Sequence, residues 1–227
     1  MYWRTVEKVG NSKITKLPIA MKSNYLCLIE LLNFDKNVSA FGNDMLQITI
    51  NKISKDLAAT LAESEQEVSC CIFGDSILIQ TDSDSNEDLS KLVRVLSAYN
   101  KQALMFGYPH KGIVLKQTSV APLCEAVETY NSKALFDAKA VLNEQNFAGI
   151  VINSDLYCEK QHIFESFAES FEQYAVFKIQ KAKLTDVALN GVKKSVESNF
   201  AKIGIDAFSS RREILNFVLR FIEKGNK

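Results

Sequence analysis

Two carboxylates stand where side-chain chemistry could be built into the chain. Glu30 interrupts the apolar run from Tyr25 to Leu32, and Asp75 follows Gly74 between two segments rich in β-formers. An acid near the end of a buried strand is costly unless it is paired, protonated or bound to a cation; the alternative is a half-exposed strand from which Glu30 reaches water. Asp75, at the tip of a rigid apolar ribbon, is either a metal ligand or a solvated turn residue, because Asp favours turns for conformational reasons alone. Together at neighbouring strand ends, the pair would offer hard oxygen ligands to Mg2+ or Mn2+, and two such ions stabilise both the attacking and the leaving oxygen of a displacement.

Other chemistries lack their pattern. His110 and His162 have no partner at metal-ligand spacing, His110 reading as a loop residue beside Pro109, and no Gly-rich loop ends in Lys-Ser/Thr. The stretch from Asp82 to Asp88 begins like a calcium loop. Glu87 stands where that loop needs Gly, however, and Val93 where it needs Glu, so it reads as a solvated loop capping the next helix.

The two acids must be positioned by the elements around them. Residues 66–80, with Gly74-Asp75 at their centre, read as a β-hairpin. The run Tyr25 to Leu32 reads as a strand buried on both faces. After Asn33, Phe34 and Asp35 the period changes, and Val38, Phe41, Met45, Ile48, Leu57 and Leu61 predict an amphipathic helix of about six turns or slightly more. A second helix carries Leu89, Leu92, Val93, Leu96 and Tyr99 to about Gly107. A strand follows from Gly112 to Thr118, a helix from about Ser132 to Glu144 and a strand from Gly149 to Asn153. The alternation predicts an α/β (α+β) sandwich, mainly antiparallel, over residues 21–155, preceded by an arm at 1–20. Residues 156–227 are expected to be helical over 156–173, a strand from Tyr174 to Lys181 and two helices (about 185–201 and 207–224), packed on that core.

The chain has 27 basic and 27 acidic residues, which argues against wholesale binding of nucleic acid. The charge is uneven: from Lys178 onward there are 11 Lys/Arg and 5 Asp/Glu, so the tail carries +6 and the rest −6. Attraction between parts of the protein explains this better than a nucleic-acid patch, and Lys193, Lys194, Arg211 and Arg212 read as the solvated face of packed helices. Five cysteines without regular spacing predict reduced, mostly buried thiols. The N-terminal residues lack a signal-peptide pattern and no apolar run is long enough to span a bilayer, so the expectation is a soluble, cytoplasmic protein without a membrane partner.

The order and spacing of these segments resemble the catalytic domain of class III nucleotidyl cyclases. The residues that carry the resemblance are Leu28 to Phe34 with Glu30, the long helix, Phe73 to Ile79 with Asp75, Lys111 to Leu115, and the helix from Ser132 before Gly149 to Ile152. More narrowly, the chain is similar to small bacterial anti-phage cyclases of the Pycsar type, which make cyclic CMP or cyclic UMP. The resemblance implies a homodimer with sites at its interface, a nucleoside triphosphate as substrate, and Mg2+ or Mn2+ on Glu30 and Asp75. It further implies a phosphate-cradling turn at Asn33 and Phe34, and a catalytic cation at Lys111. Lys36, at the start of the long helix, either helps hold phosphate or is solvated. The chain departs from the family at Glu30 (Asp there), Asn33 (Gly there) and Lys111 (Arg in the small cyclases), and the helical Asn and Arg of conventional adenylyl cyclases are not recognisable. A cyclase fold kept for binding or scaffolding is therefore the alternative to a working enzyme.

Overall fold

The computed structural model describes residues 3–5, 16–18, 21–64, 68–120, 133–180 and 182–226. Strands β1 (Trp3–Thr5) and β2 (Lys16–Pro18) form a small sheet of their own. The main sheet is built around β3 (Met21–Leu31), followed by α1 (Phe34–Ser64), the hairpin of β4 (Ser69–Phe73) and β5 (Ser76–Gln80), α2 (Asn86–Met105), β6 (His110–Val120), α3 (Lys133–Glu144) and β7 (Gly149–Ile152). Beyond β7 come α4 (Ser154–Glu159), α5 (Gln161–Phe164), the hairpin of β8 (Ala168–Phe171) and β9 (Tyr174–Phe177), α6 (Asp186–Ala201) and α7 (Arg212–Lys224). The strand order is β4-β5-β3-β6-β7-β9-β8, and every neighbouring pair is antiparallel except β6 with β7. This is the mainly antiparallel α+β sandwich that the element order predicts.

The continuous apolar run of β3 exists because both faces of the sheet are covered. Leu26 and Leu28 enter one core with residues of α3, α6 and α7, whereas Tyr25, Cys27 and Ile29 enter another with residues of α1, α2, α4 and α5. Successive strand residues point to opposite faces, so a strand in the middle of three layers needs apolar side chains at every position. The segment after β7 contributes β8 and β9 to the same sheet, and Val196, Phe200, Phe217 and Phe221 to the first core.

Some expectations are corrected. The helix α1 is 31 residues long, and among its described apolar side chains Phe34, Ile53 and Leu57 are buried with Ile50 and Leu61 partly covered; Ile48 is 59% exposed, and the side chains of Val38, Phe41 and Met45 lie outside those described. Ile48 is five residues from Ile53, about 140° around the helix, so it belongs to another face. Residues 156–173 are not one helix, because Ala168–Phe171 is a strand paired with β9 through Phe171 and Tyr174. The phenylalanines at 164, 167 and 171 mimic helical spacing, and the tertiary pairing overrides it. Cys70, Cys71 and Cys158 are exposed and only Cys27 is buried among the described cysteines, the first two because β4 is an edge strand; Cys124 lies outside the described residues.

His110 is also not a loop residue. It opens β6 fully buried, with Nδ1 at 3.3 Å from the Tyr108 carbonyl, its ring 5.2 Å from Tyr99, and Nε2 without a hydrogen-bond partner among the described residues. Burial pushes its pKa down to about 4. The unfolded chain, with an ordinary imidazole, therefore takes up the proton first as pH falls. The His110 contribution is complete above about pH 6.5 and is lost progressively toward pH 4, about 3 kcal/mol in all. Urea unfolding between pH 7 and pH 4.5 should show that slope in the parent and a flatter one in His110→Phe. Equal slopes would refute the assignment.

Candidate functional site

A row of residues crosses the sheet at one end. Phe73, Ser76, Glu30, Lys111 and Gly149 are register partners from β4 through β5, β3 and β6 to β7. Cross-strand partners share a face, so Glu30 and Lys111 lie side by side on the face covered by α3, α6 and α7. Two backbone bonds fix the chain as it leaves β3: Leu31 N–H donates to Asp75 O at 2.8 Å and Leu32 N–H to Pro109 O at 2.9 Å. The hairpin tip, the end of β3 and the start of β6 are thereby tied together.

This brings the sequence candidates Glu30, Asn33, Phe34, Lys36, Asp75 and Lys111 to one end of the sheet, each in a different state. The Glu30 side chain, 16% exposed, is ion-paired with Lys139 Nζ from α3. Asp75 is exposed, and its Oδ1 accepts from the Ser76 hydroxyl at 3.0 Å. The two acids thus sit at adjoining strand ends with their carboxylates engaged separately. Lys111 Nζ donates to Leu142 O, 3.2 Å away in the last turn of α3, where a cation suits the helix dipole. Burial lowers the Lys111 pKa and the Arg211 cation adds to this, while Glu30 opposes it.

Asn33 makes the turn into α1 with φ of 55°, a left-handed conformation that Asn tolerates better than most residues. Its amide is buried and held at both ends: Nδ2 donates to Ile203 O at 3.0 Å, and Oδ1 accepts from Arg211 Nη1 at 2.6 Å. Phe34 is buried with its ring edge-on to Tyr108, centroids 6.0 Å apart, so only its backbone can meet a ligand. Lys36 is exposed in the first turn of α1.

Sequence reasoning missed Lys139 and the contact that Arg211, exposed as expected, makes with Asn33. Lys139 follows Ala138 at the margin of the buried Ala138/Leu142 stripe of α3, a local signal that could have marked it. Arg211 has none, being 178 residues from its partner.

The donor set fits a divalent cation. Glu30 is paired with the Lys139 ammonium, which a divalent ion would have to displace. Mg2+ is commonly held by one or two carboxylates with water and substrate phosphate completing its shell, so Glu30 and Asp75 suffice in number; no group of three or more His, Cys, Asp or Glu gathers among the described residues.

No family model and no curated protein matches the chain. Solved structures do. The monomeric guanylyl cyclase domain of the RhoGC fusion protein from the aquatic fungus Blastocladiella emersonii superposes with a TM-score of 0.56 at 14% identity, over 70% of this chain and 96% of that chain. The catalytic core of a rhodopsin-guanylyl cyclase with converted specificity, in complex with ATPαS, gives 0.53 at 12% identity, over 70% of this chain and 98% of that one. The guanylate cyclase domain of RhGC from Catenaria anguillulae, in complex with GTP, gives 0.52 at 12% identity, over 68% and 91%. Identities this low establish the shared fold, a cyclase-type sandwich.

Proposed function

We propose that the protein is a metal-dependent nucleotidyl cyclase that converts a nucleoside triphosphate to a 3′,5′-cyclic monophosphate and pyrophosphate. The observation that supports this reading is the position of Glu30 at the end of β3 beside the hairpin tip that carries Asp75, the two segments joined by the Leu31–Asp75 backbone bond, in a fold shared with guanylyl cyclase domains. In the reaction the 3′-oxygen bonds to the α-phosphorus, its proton passes to water, and the bond from the α-phosphorus to the bridging oxygen breaks to release pyrophosphate. Glu30 and Asp75 would hold Mg2+ or Mn2+, which when bound polarises phosphate oxygens as a Lewis acid. The backbone at Asn33 and Phe34, at the positive end of α1, and the Lys36 ammonium bind phosphate oxygens. Lys111 turns from the Leu142 carbonyl to neutralise charge growing on the leaving group.

The protein acts as a homodimer in the cytoplasm, a reading supported by the resemblance and by a +6 tail that complements the −6 remainder. Production of cyclic CMP or cyclic UMP in anti-phage signalling is its narrowest form and rests on the resemblance. A second reading, a cyclase fold that binds nucleotide without turnover, is favoured by Lys139 already neutralising Glu30. Incubation with each of the four nucleoside triphosphates and Mn2+, with products separated by mass, should yield a cyclic monophosphate from at least one. None from a verified dimer would favour the second reading.

A further inference from the structure

Arg211 precedes α7, yet its guanidinium reaches the turn between β3 and α1 and bonds to Asn33 Oδ1 at 2.6 Å. Positive charge converges there. The 31-residue helix α1 begins at Phe34, so its positive end opens beside Asn33. Asn33 stands where it could cap that helix, but its amide is engaged by Ile203 O and Arg211. Lys111 is the register partner of Glu30, three residues before Asn33, so its strand position and the Arg211–Asn33 contact lie at the same end of the sheet. Among the described residues neither is ion-paired to a carboxylate, and Glu30, which attracts Lys111, is paired with Lys139.

An anion bound between the Arg211 guanidinium at the α1 N-terminus and the Lys111 ammonium would be attracted by both. We propose that Arg211 and Lys111 form a polyphosphate-binding subsite, in which the C-terminal segment supplies Arg211 as a clamp on the phosphates of the bound nucleotide. This rests on the reading that the triphosphate lies at the β3–α1 turn. On binding, Arg211 exchanges the neutral oxygen of Asn33 for charged phosphate oxygens, which its planar fork can engage in pairs. Part of the specificity for a triphosphate then comes from residues far from the carboxylates in sequence.

The test is calorimetric titration of the full chain, in EDTA, with inorganic tripolyphosphate and with each nucleoside triphosphate. The parent should bind both kinds of ligand. Arg211→Gln should weaken both at least about tenfold, and Arg211→Lys less, as expected for loss of a charge-assisted bond. Should Arg211→Gln fail to fold, Lys111→Gln provides the same comparison. Unchanged affinity in these variants overturns the proposal. So does nucleotide binding without tripolyphosphate binding, which would mean that base and sugar carry recognition. The result is separable from turnover: weakened binding with no cyclic product from the parent keeps the clamp and removes the cyclase, whereas product with unaltered affinity in Arg211→Gln does the reverse.

Discussion

Asp75→Asn is expected to lower cyclic-nucleotide formation by about 10²- to 10³-fold, the scale of losing a group that stabilises transition-state charge. The substitution keeps the shape of the side chain and can keep its contact with the Ser76 hydroxyl, but removes the anionic ligand. A stability measurement separates this from misfolding. Mn2+ at one hundred times its dissociation constant should stabilise the parent by about 2.7 kcal/mol, and that gain should vanish in the variant. In EDTA the two proteins should melt together, because Asp75 is exposed and carries no ion pair among the described residues. An equal metal-dependent shift in Asp75→Asn, or none in the parent, would end the metal-site reading and the cyclase proposal with it.

Phe217→Ala should destabilise the whole protein by about 3 to 5 kcal/mol, the usual cost of deleting a buried aromatic side chain. Phe217 is 5% exposed, stacks on Phe147 with centroids 4.0 Å apart, and meets Phe171 edge-on at 4.8 Å. It therefore joins α7 to the segment before β7 and to the end of β8. The neighbouring helix is tied in as well: Asn199 Nδ2 donates to the carbonyls of Ala103 and Leu104 at 3.0 and 3.1 Å, at the end of α2. We propose that the C-terminal segment and the preceding core unfold as one unit. The variant should then show a single transition, shifted down by urea or heat. Two transitions, with only the tail moved, would make the tail a separate unit.

The sequence by itself determined the central layer and the end of the sheet where chemistry is possible. The unbroken apolar run before Glu30 required a strand covered on both faces, and Gly74-Asp75 required a tight turn; Gly74 takes φ of 60°, a conformation suited to glycine. These are local rules, acting over a few residues, and they locate the two acids. What the acids touch is not local. Lys139 meets Glu30 because α3 packs across β6 and β3, and Arg211 meets Asn33 because α6 and α7 fold back beneath the same face. The strand at Ala168–Phe171 likewise depends on its partner β9, since its aromatic spacing alone suits a helix. Hydrophobic periodicity specifies which face of an element is buried, but not which other element covers it. The partners of Glu30 and Asn33, and with them the balance of charge at the site, were therefore decided only when the tertiary structure brought distant segments together.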